Sequence, residues 1–336
     1  MGVKIKFTDQ WAGFRPEETN LYRWLKEAFD VELSDRPDFV VAGPFGHDHM
    51  KYGCVKIVYT GENYVPDFNL FDYAVGFDDI RFGDRYLRFP LFALRDEFPS
   101  FRKGDAPSDE FLLDRGFCSF VVSNPRGCAI RERFFRELSK YRRVDSGGKL
   151  LNNVGGLVGD KHAFTAKYKF AIAFENSSYP GYVTEKIMDA LAAWSVPVYW
   201  GAPDVANDFS TASFVRVADE ADIRRAVDEI VRLDRDDAAY LAMCRASPLV
   251  KSSEEWKRDF IAFFSNIFGQ GPEKARRVAD YGFQMEHYRP ELAKARALES
   301  VWTSPCREYR KFLCMAVPLA KKGLVALKLR RPDRTI

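Results

Sequence analysis

The stretch from Lys169 to Val205, KFAIAFENSSYPGYVTEKIMDALAAWSVPVYWGAPDV, holds the densest set of residues able to do chemistry. An apolar run, Phe170–Phe174, reads as a buried strand and ends in Glu175-Asn176. A loop with Ser177, Ser178, Pro180 and Gly181 follows. A helix then opens near Thr184, with Glu185 and Lys186 in its first turn. In an open α/β sheet, ligands bind at the carboxyl ends of strands, beside helix N-termini. Such a terminus offers unpaired N–H groups and about half a positive charge, which suits a phosphate. Thr184 is a natural N-cap. Lys186 would add a point charge for a diphosphate, and Glu185 could accept from ribose hydroxyls. The spacing fits a plainer arrangement as well, with Glu185 serving the helix dipole and Lys186 solvated.

Other constellations read as structural. Asp234-Arg235-Asp236 has the spacing that holds a divalent cation in some transferases, but it falls between two helical patterns, where acids cap. His47-Asp48-His49 has no third ligand in view and reads as a loop with surface histidines. Gly155-Gly156-Leu157-Val158-Gly159 is not GxGxxG and follows no strand-to-helix turn. Glu62, in Thr60-Gly61-Glu62-Asn63, reads from its own surroundings as a loop-capping carboxylate. Arg126, near Arg131, fits a phosphate contact or an exposed charge.

Three segments carry a resemblance. FENSSYPGYVTEKIMDALAAWSVPVYWGAP, from Phe174, resembles the signature of the α-1,3-fucosyltransferases, glycosyltransferase family 10. Tyr59–Asp78 (YTGENYVPDFNLFDYAVGFD) and Phe120–Arg131 (FVVSNPRGCAIR) are similar to further motifs of bacterial members. The resemblance implies a glycosyltransferase-B fold and inverting transfer of L-fucose from GDP-β-L-fucose. It implies that the second domain holds the donor and the first receives a lactosamine-type oligosaccharide acceptor. By motif position, Glu62 matches the general base, and Arg131 and Lys186 match the groups that hold the diphosphate. Glu185 matches a ribose ligand, and Asn176 and Tyr182 match other donor-pocket positions. No cofactor or metal is implied. These residue types suit the chemistry: cations stabilise a diphosphate leaving group, and a desolvated carboxylate removes a proton near neutral pH. Tyr59, Tyr64 and Phe68 would supply an apolar setting for Glu62.

The elements that must position these residues alternate. Val3–Phe7, Val31–Leu33, Phe39–Ala42, Lys56–Tyr59, Tyr73–Phe77 and Tyr86–Leu91 read as strands, with a helix over Asn20–Phe29. Arg102–Ser108 reads as a linker. Beyond it come strands over Phe117–Ser123, Tyr168–Phe174, Val196–Trp200 and Phe214–Val217. Helices over Ile130–Tyr141, Val183–Trp194 and Asp222–Leu233 alternate with them, and the chain is mostly helical from Ala238. The fold class is thus α/β, with two Rossmann-like domains facing a cleft and C-terminal helices. With the resemblance, 1–110 is the acceptor domain and 111–270 the GDP-fucose domain. Residues 271–305 are helices packing back on the first domain, and 306–336 is a basic tail.

Composition agrees with a folded two-domain chain: 336 residues, 46% hydrophobic and 29% charged, with no apolar run long enough to span a membrane. No secretory signal is read, so the expectation is a cytoplasmic protein whose six cysteines are reduced thiols, mostly core fillers. The net charge of +3 divides unevenly. Residues 306–336 carry nine basic and two acidic side chains, a net +7, which leaves −4 for the rest. No nucleic-acid partner is expected. Interspersed Leu, Val and Phe make the tail a candidate for the anionic inner face of a membrane. Two other functions fit: a transferase for another nucleotide sugar, and a non-catalytic, membrane-associated glycan-binding protein.

Overall fold

The computed structural model describes residues 2–95, 98, 106–124 and 128–278. Residues 2–278 belong to one compact unit, and 279–336 form a second that lies outside the described residues. The expected tail, Arg126, most of the 271–305 helices and part of the Arg102–Ser108 linker fall outside them.

Two all-parallel sheets build the described unit. The first contains β1 (Val3–Thr8), β2 (Val31–Leu33), β3 (Phe39–Ala42), β4 (Val55–Tyr59), β5 (Tyr73–Gly76) and β6 (Tyr86–Arg88), in the order β2-β1-β3-β4-β5-β6. The second contains β7 (Gly116–Phe120), β8 (Val144–Ser146), β9 (Tyr168–Phe174), β10 (Val196–Trp200) and β11 (Val215–Arg216), in the order β11-β10-β9-β7-β8. The helices are α1 (Asn20–Ala28), α2 (Leu91–Leu94), α3 (Asp109–Leu113), α4 (Ile130–Leu138), α5 (Lys161–Thr165), α6 (Glu185–Ala192), α7 (Ile223–Arg235), α8 (Asp237–Arg245) and α9 (Ser253–Gly269). Because every strand pair is parallel, each sheet gathers its strand C-termini on one edge, the place where such folds bind ligands.

The central strands are buried on both faces and therefore read as continuous apolar runs. Phe170, Ile172 and Phe174 of β9 face a core shared with Phe134 and Leu138 of α4 and Ile230 of α7. The alternate residues, Ala171 and Ala173, are small and leave room for Ile187, Met188 and Leu191 of α6. That core continues into the first sheet through Ile5, Val41 and Ile57. Helix α1 starts where Thr19 accepts the Tyr22 N–H, and it buries Leu21, Trp24 and Leu25.

Some boundaries differ from the sequence reading. The strand expected to reach Leu91 stops at Arg88, since Pro90 has no N–H for the ladder and α2 begins immediately after it. Helix α6 ends at Ala192 because Trp194 turns into the left-handed region, φ 56°. Helix α9 opens with a Ser252–Glu255 capping box. Although it follows the second sheet in sequence, it lays Trp256 and Phe260 against Trp24 and Phe89 on the first.

Candidate active site

Strand β9 delivers Glu175 to the C-terminal edge of the second sheet, where it is completely buried. Its Oε1 accepts the Thr184 N–H at 2.8 Å and its Oε2 accepts the Thr184 hydroxyl at 2.7 Å. Lys186 Nζ lies 3.0 Å from the same Oε2. Lys186 also donates to Thr184 Oγ1 at 2.8 Å and Glu185 Oε1 at 3.3 Å. The main-chain carbonyl of Glu175 accepts Arg131 Nε at 3.0 Å. Arg131 is itself buried, donates to Asn124 O at 3.3 Å, and meets Asn176 Oδ1 through its other terminal nitrogen. Arg131, Asn176, Glu185 and Lys186 are therefore one cluster, joined through Glu175.

Burial pushes the Glu175 carboxyl upward, opposed by Lys186 and the Thr184 donors. Burial alone would lower the Lys186 ammonium, but the Glu175 and Glu185 charges outweigh it and hold that group firmly protonated. The Glu185 carboxyl is desolvated too, yet Lys186 and its own backbone donor keep it below the ordinary range. Thr184 is the N-cap residue of α6, but its side chain makes no capping bond. The hydroxyl proton goes to Glu175 instead, because a buried carboxylate needs donors more than the helix end needs an acceptor.

Glu175 carried no role in the sequence reading, although its position at the end of an apolar strand was visible. Lys161, at the start of α5, also lies beside the cluster without having been singled out from the sequence. It pairs with Asp189 at 2.6 Å and lines a small cavity with Ser119, Val122 and Lys186. Gly201 makes the packing feasible, since a Cβ there would collide with Glu175 Cγ and the Tyr199 hydroxyl.

Tyr182 is buried with its ring 5.2 Å from that of Phe77 at the end of the first sheet. Gly181, at φ +76°, lies against the Phe77 carbonyl where any side chain would clash. Asn63 Nδ2 donates to Ser177 Oγ at 3.0 Å, tying the loop of Glu62 to the loop that follows Asn176. Glu62 is thus brought to the same cleft. Burial, and then nearby carboxylates including Glu62, raise the Tyr182 hydroxyl to about 12.

Glu62 is exposed, not enclosed as its aromatic neighbours suggested. Tyr59 is buried in the sheet, and Tyr64 and Phe68 turn away to pack around Phe71 and Tyr86. The Thr60 hydroxyl accepts the Glu62 N–H at 3.2 Å and so fixes the loop. The expectation of surface histidines holds for His47 but fails for His49. His49 is buried because its Nδ1 pairs with Asp9 Oδ2 at 2.7 Å, a partner 40 residues away in sequence. Asp234 accepts Tyr141 OH at 3.0 Å and faces Arg142, while Asp236 caps α8. Cys118 and Cys244 are buried, Cys54 is half-buried and Cys128 is exposed. No described helix is long and apolar enough to cross a membrane.

Residues 5–95 match the α-(1,3)-fucosyltransferase FucT N-terminal domain, and 115–264 match the glycosyltransferase family 10 (fucosyltransferase) C-terminal region. The chain is 36% identical over 289 residues to an α-(1,3)-fucosyltransferase FucT of Helicobacter pylori. That match covers 74% of this chain, and the chain spans 60% of the relative's length. It also resembles crystal structures of an α1,3-fucosyltransferase. With GDP-fucose the TM-score is 0.65 at 33% identity, covering 79% of this chain and 90% of the other. With GDP the TM-score is 0.68 at 34% identity, covering 79% and 89%. The fold is glycosyltransferase-B, and the chain belongs to glycosyltransferase family 10, the fucosyltransferases.

Proposed function

We propose that this protein transfers L-fucose from GDP-β-L-fucose, with inversion, to the 3-hydroxyl or 4-hydroxyl of N-acetylglucosamine in a lactosamine-type glycan. The observation that carries the donor half is the convergence of Arg131 and Lys186 on Glu175 at the C-terminal edge of the second sheet. The three N–H bonds of Lys186 are directed at Glu175, Thr184 and Glu185. If Glu185 turns to the ribose, one of them is released for the diphosphate.

The acceptor oxygen attacks fucose C1 from the face opposite the diphosphate. The C1–O bond breaks, its electron pair leaves with GDP, and Glu62 takes the acceptor proton. Arg131, Lys186 and the α6 N-terminus stabilise the departing charge without a metal ion. Glu62 is exposed, which leaves its carboxylate open to an acceptor hydroxyl. The basic tail is assigned to an anionic membrane surface. Competition binding with GDP, UDP and ADP tests the donor: GDP should bind tightest, and preference for UDP or ADP would reject this reading.

A further inference from the structure

The first sheet carries a second feature on the edge that holds Glu62. Its strands run in the order β2-β1-β3-β4, all parallel, so the segments leaving β1, β3 and β4 emerge side by side. Trp11 leaves β1, Phe45 leaves β3, and Glu62 leaves β4, each three residues past its strand. Trp11 is 46% exposed and Phe45 55%, which puts two large open rings on adjacent loops.

Both loops are anchored. Asp9 turns the chain out of β1 in the left-handed region, φ 57°. Its carboxylate accepts the N–H groups of Asp48 (2.7 Å) and His49 (2.8 Å) and the His49 ring at 2.7 Å. Its carbonyl accepts the Phe45 N–H at 3.0 Å. Trp11 is braced edge-to-face by Phe14, with ring centres 4.7 Å apart. Rings held outward on two pinned loops are a preorganised surface, not a frayed one. An aromatic face suits the C–H face of a pyranose, and β4, which delivers Glu62, lies two strand spacings, about 10 Å, from β1, which delivers Trp11. A short oligosaccharide bridges that span.

We propose that Trp11 and Phe45 form an aromatic subsite for the sugar rings flanking the acceptor residue, with the Asp9–His49 pair positioning the two loops. The proposal rests on the reading of fucosyl transfer to a glycan. Beyond the subsite, Phe14 also walls a groove with Phe7, Leu33 and the paired Lys6 and Asp35, which continues the track over β1 and β2.

The test uses the full chain with Trp11→Ala and Phe45→Ala, and N-acetylglucosamine, N-acetyllactosamine and a longer lactosamine oligomer as acceptors. Each variant should raise KM for the oligosaccharides about tenfold and erase most of their advantage over the monosaccharide. The KM for GDP-fucose and its slow hydrolysis without acceptor should stay as in the unaltered chain. Oligosaccharide KM values within about twofold of the unaltered chain in both variants would overturn the subsite, as would a matching loss of donor binding. If the unaltered chain hydrolyses GDP-fucose but fucosylates none of the acceptors, the transfer reading itself fails, and the subsite with it.

Discussion

Lys186 and Glu175 form an ion pair at the root of helix α6, with Nζ 3.0 Å from Oε2 of a carboxylate that has no exposed surface. The same residue's carbonyl holds Arg131. One buried residue therefore touches both cations assigned to the diphosphate, Lys186 through its carboxylate and Arg131 through its main-chain carbonyl. Glu175→Gln keeps the shape and removes the charge. The GDP dissociation constant should rise about tenfold, roughly 1.4 kcal/mol, by calorimetry. Unchanged GDP affinity would show that the Glu175 carboxylate does not position Lys186 for the diphosphate.

Arg88 of β6 and Asp208, beyond β10, join the two sheets by a bidentate contact at 2.8 and 2.7 Å. Asp208 is buried. Arg88→Ala leaves that carboxylate uncompensated and should cost about 3–5 kcal/mol of stability in urea unfolding. In a double-mutant cycle with Asp208→Ala, the coupling should be about 2 kcal/mol. Additive losses would mean the contact contributes nothing of its own.

Asp9 gives the fold an acid limit. Burial favours its neutral form, but the ring and N–H of His49 and the N–H of Asp48 outweigh that and lower its pKa from 3.8 to about 2. A depressed carboxyl stabilises the fold above its unfolded pKa and loses that contribution as pH falls through the folded value. About 2 kcal/mol should therefore disappear between pH 4 and pH 2, approximated from the shift at 1.36 kcal/mol per unit. Asp9→Asn should flatten stability over that window. An unaltered slope would assign the acid limit to other groups.

The charge asymmetry makes its own prediction. With nine basic residues in 306–336, the full chain should co-sediment with anionic vesicles and be released by high salt. Equal binding to neutral vesicles would remove the electrostatic reading.

Much of the cleft was legible in sequence because its parts are local. Glu185 and Lys186 follow a strand, a glycine loop and a helix start, each with its own signature. What was not legible depends on partners far apart in the chain. Thr184 reads as a cap until Glu175, nine residues earlier, takes its hydroxyl. His49 sits in a glycine-flanked loop that looks exposed until Asp9 claims its ring. Glu62 has aromatic neighbours in sequence, but the loop sends Tyr64 and Phe68 into a separate core. Helix α9 shows its aromatic stripe in sequence, but not that the stripe meets Trp24 and Phe89.

The central claim is fucosyl transfer with Glu62 as the base. The direct test measures GDP release from GDP-fucose with N-acetyllactosamine, for the unaltered chain and for Glu62→Ala. The unaltered chain should release one GDP per fucosylated product. The variant should bind GDP equally well and turn over about 100-fold slower or worse. Near-normal turnover in the variant, or no acceptor-dependent release by the unaltered chain, would contradict the claim.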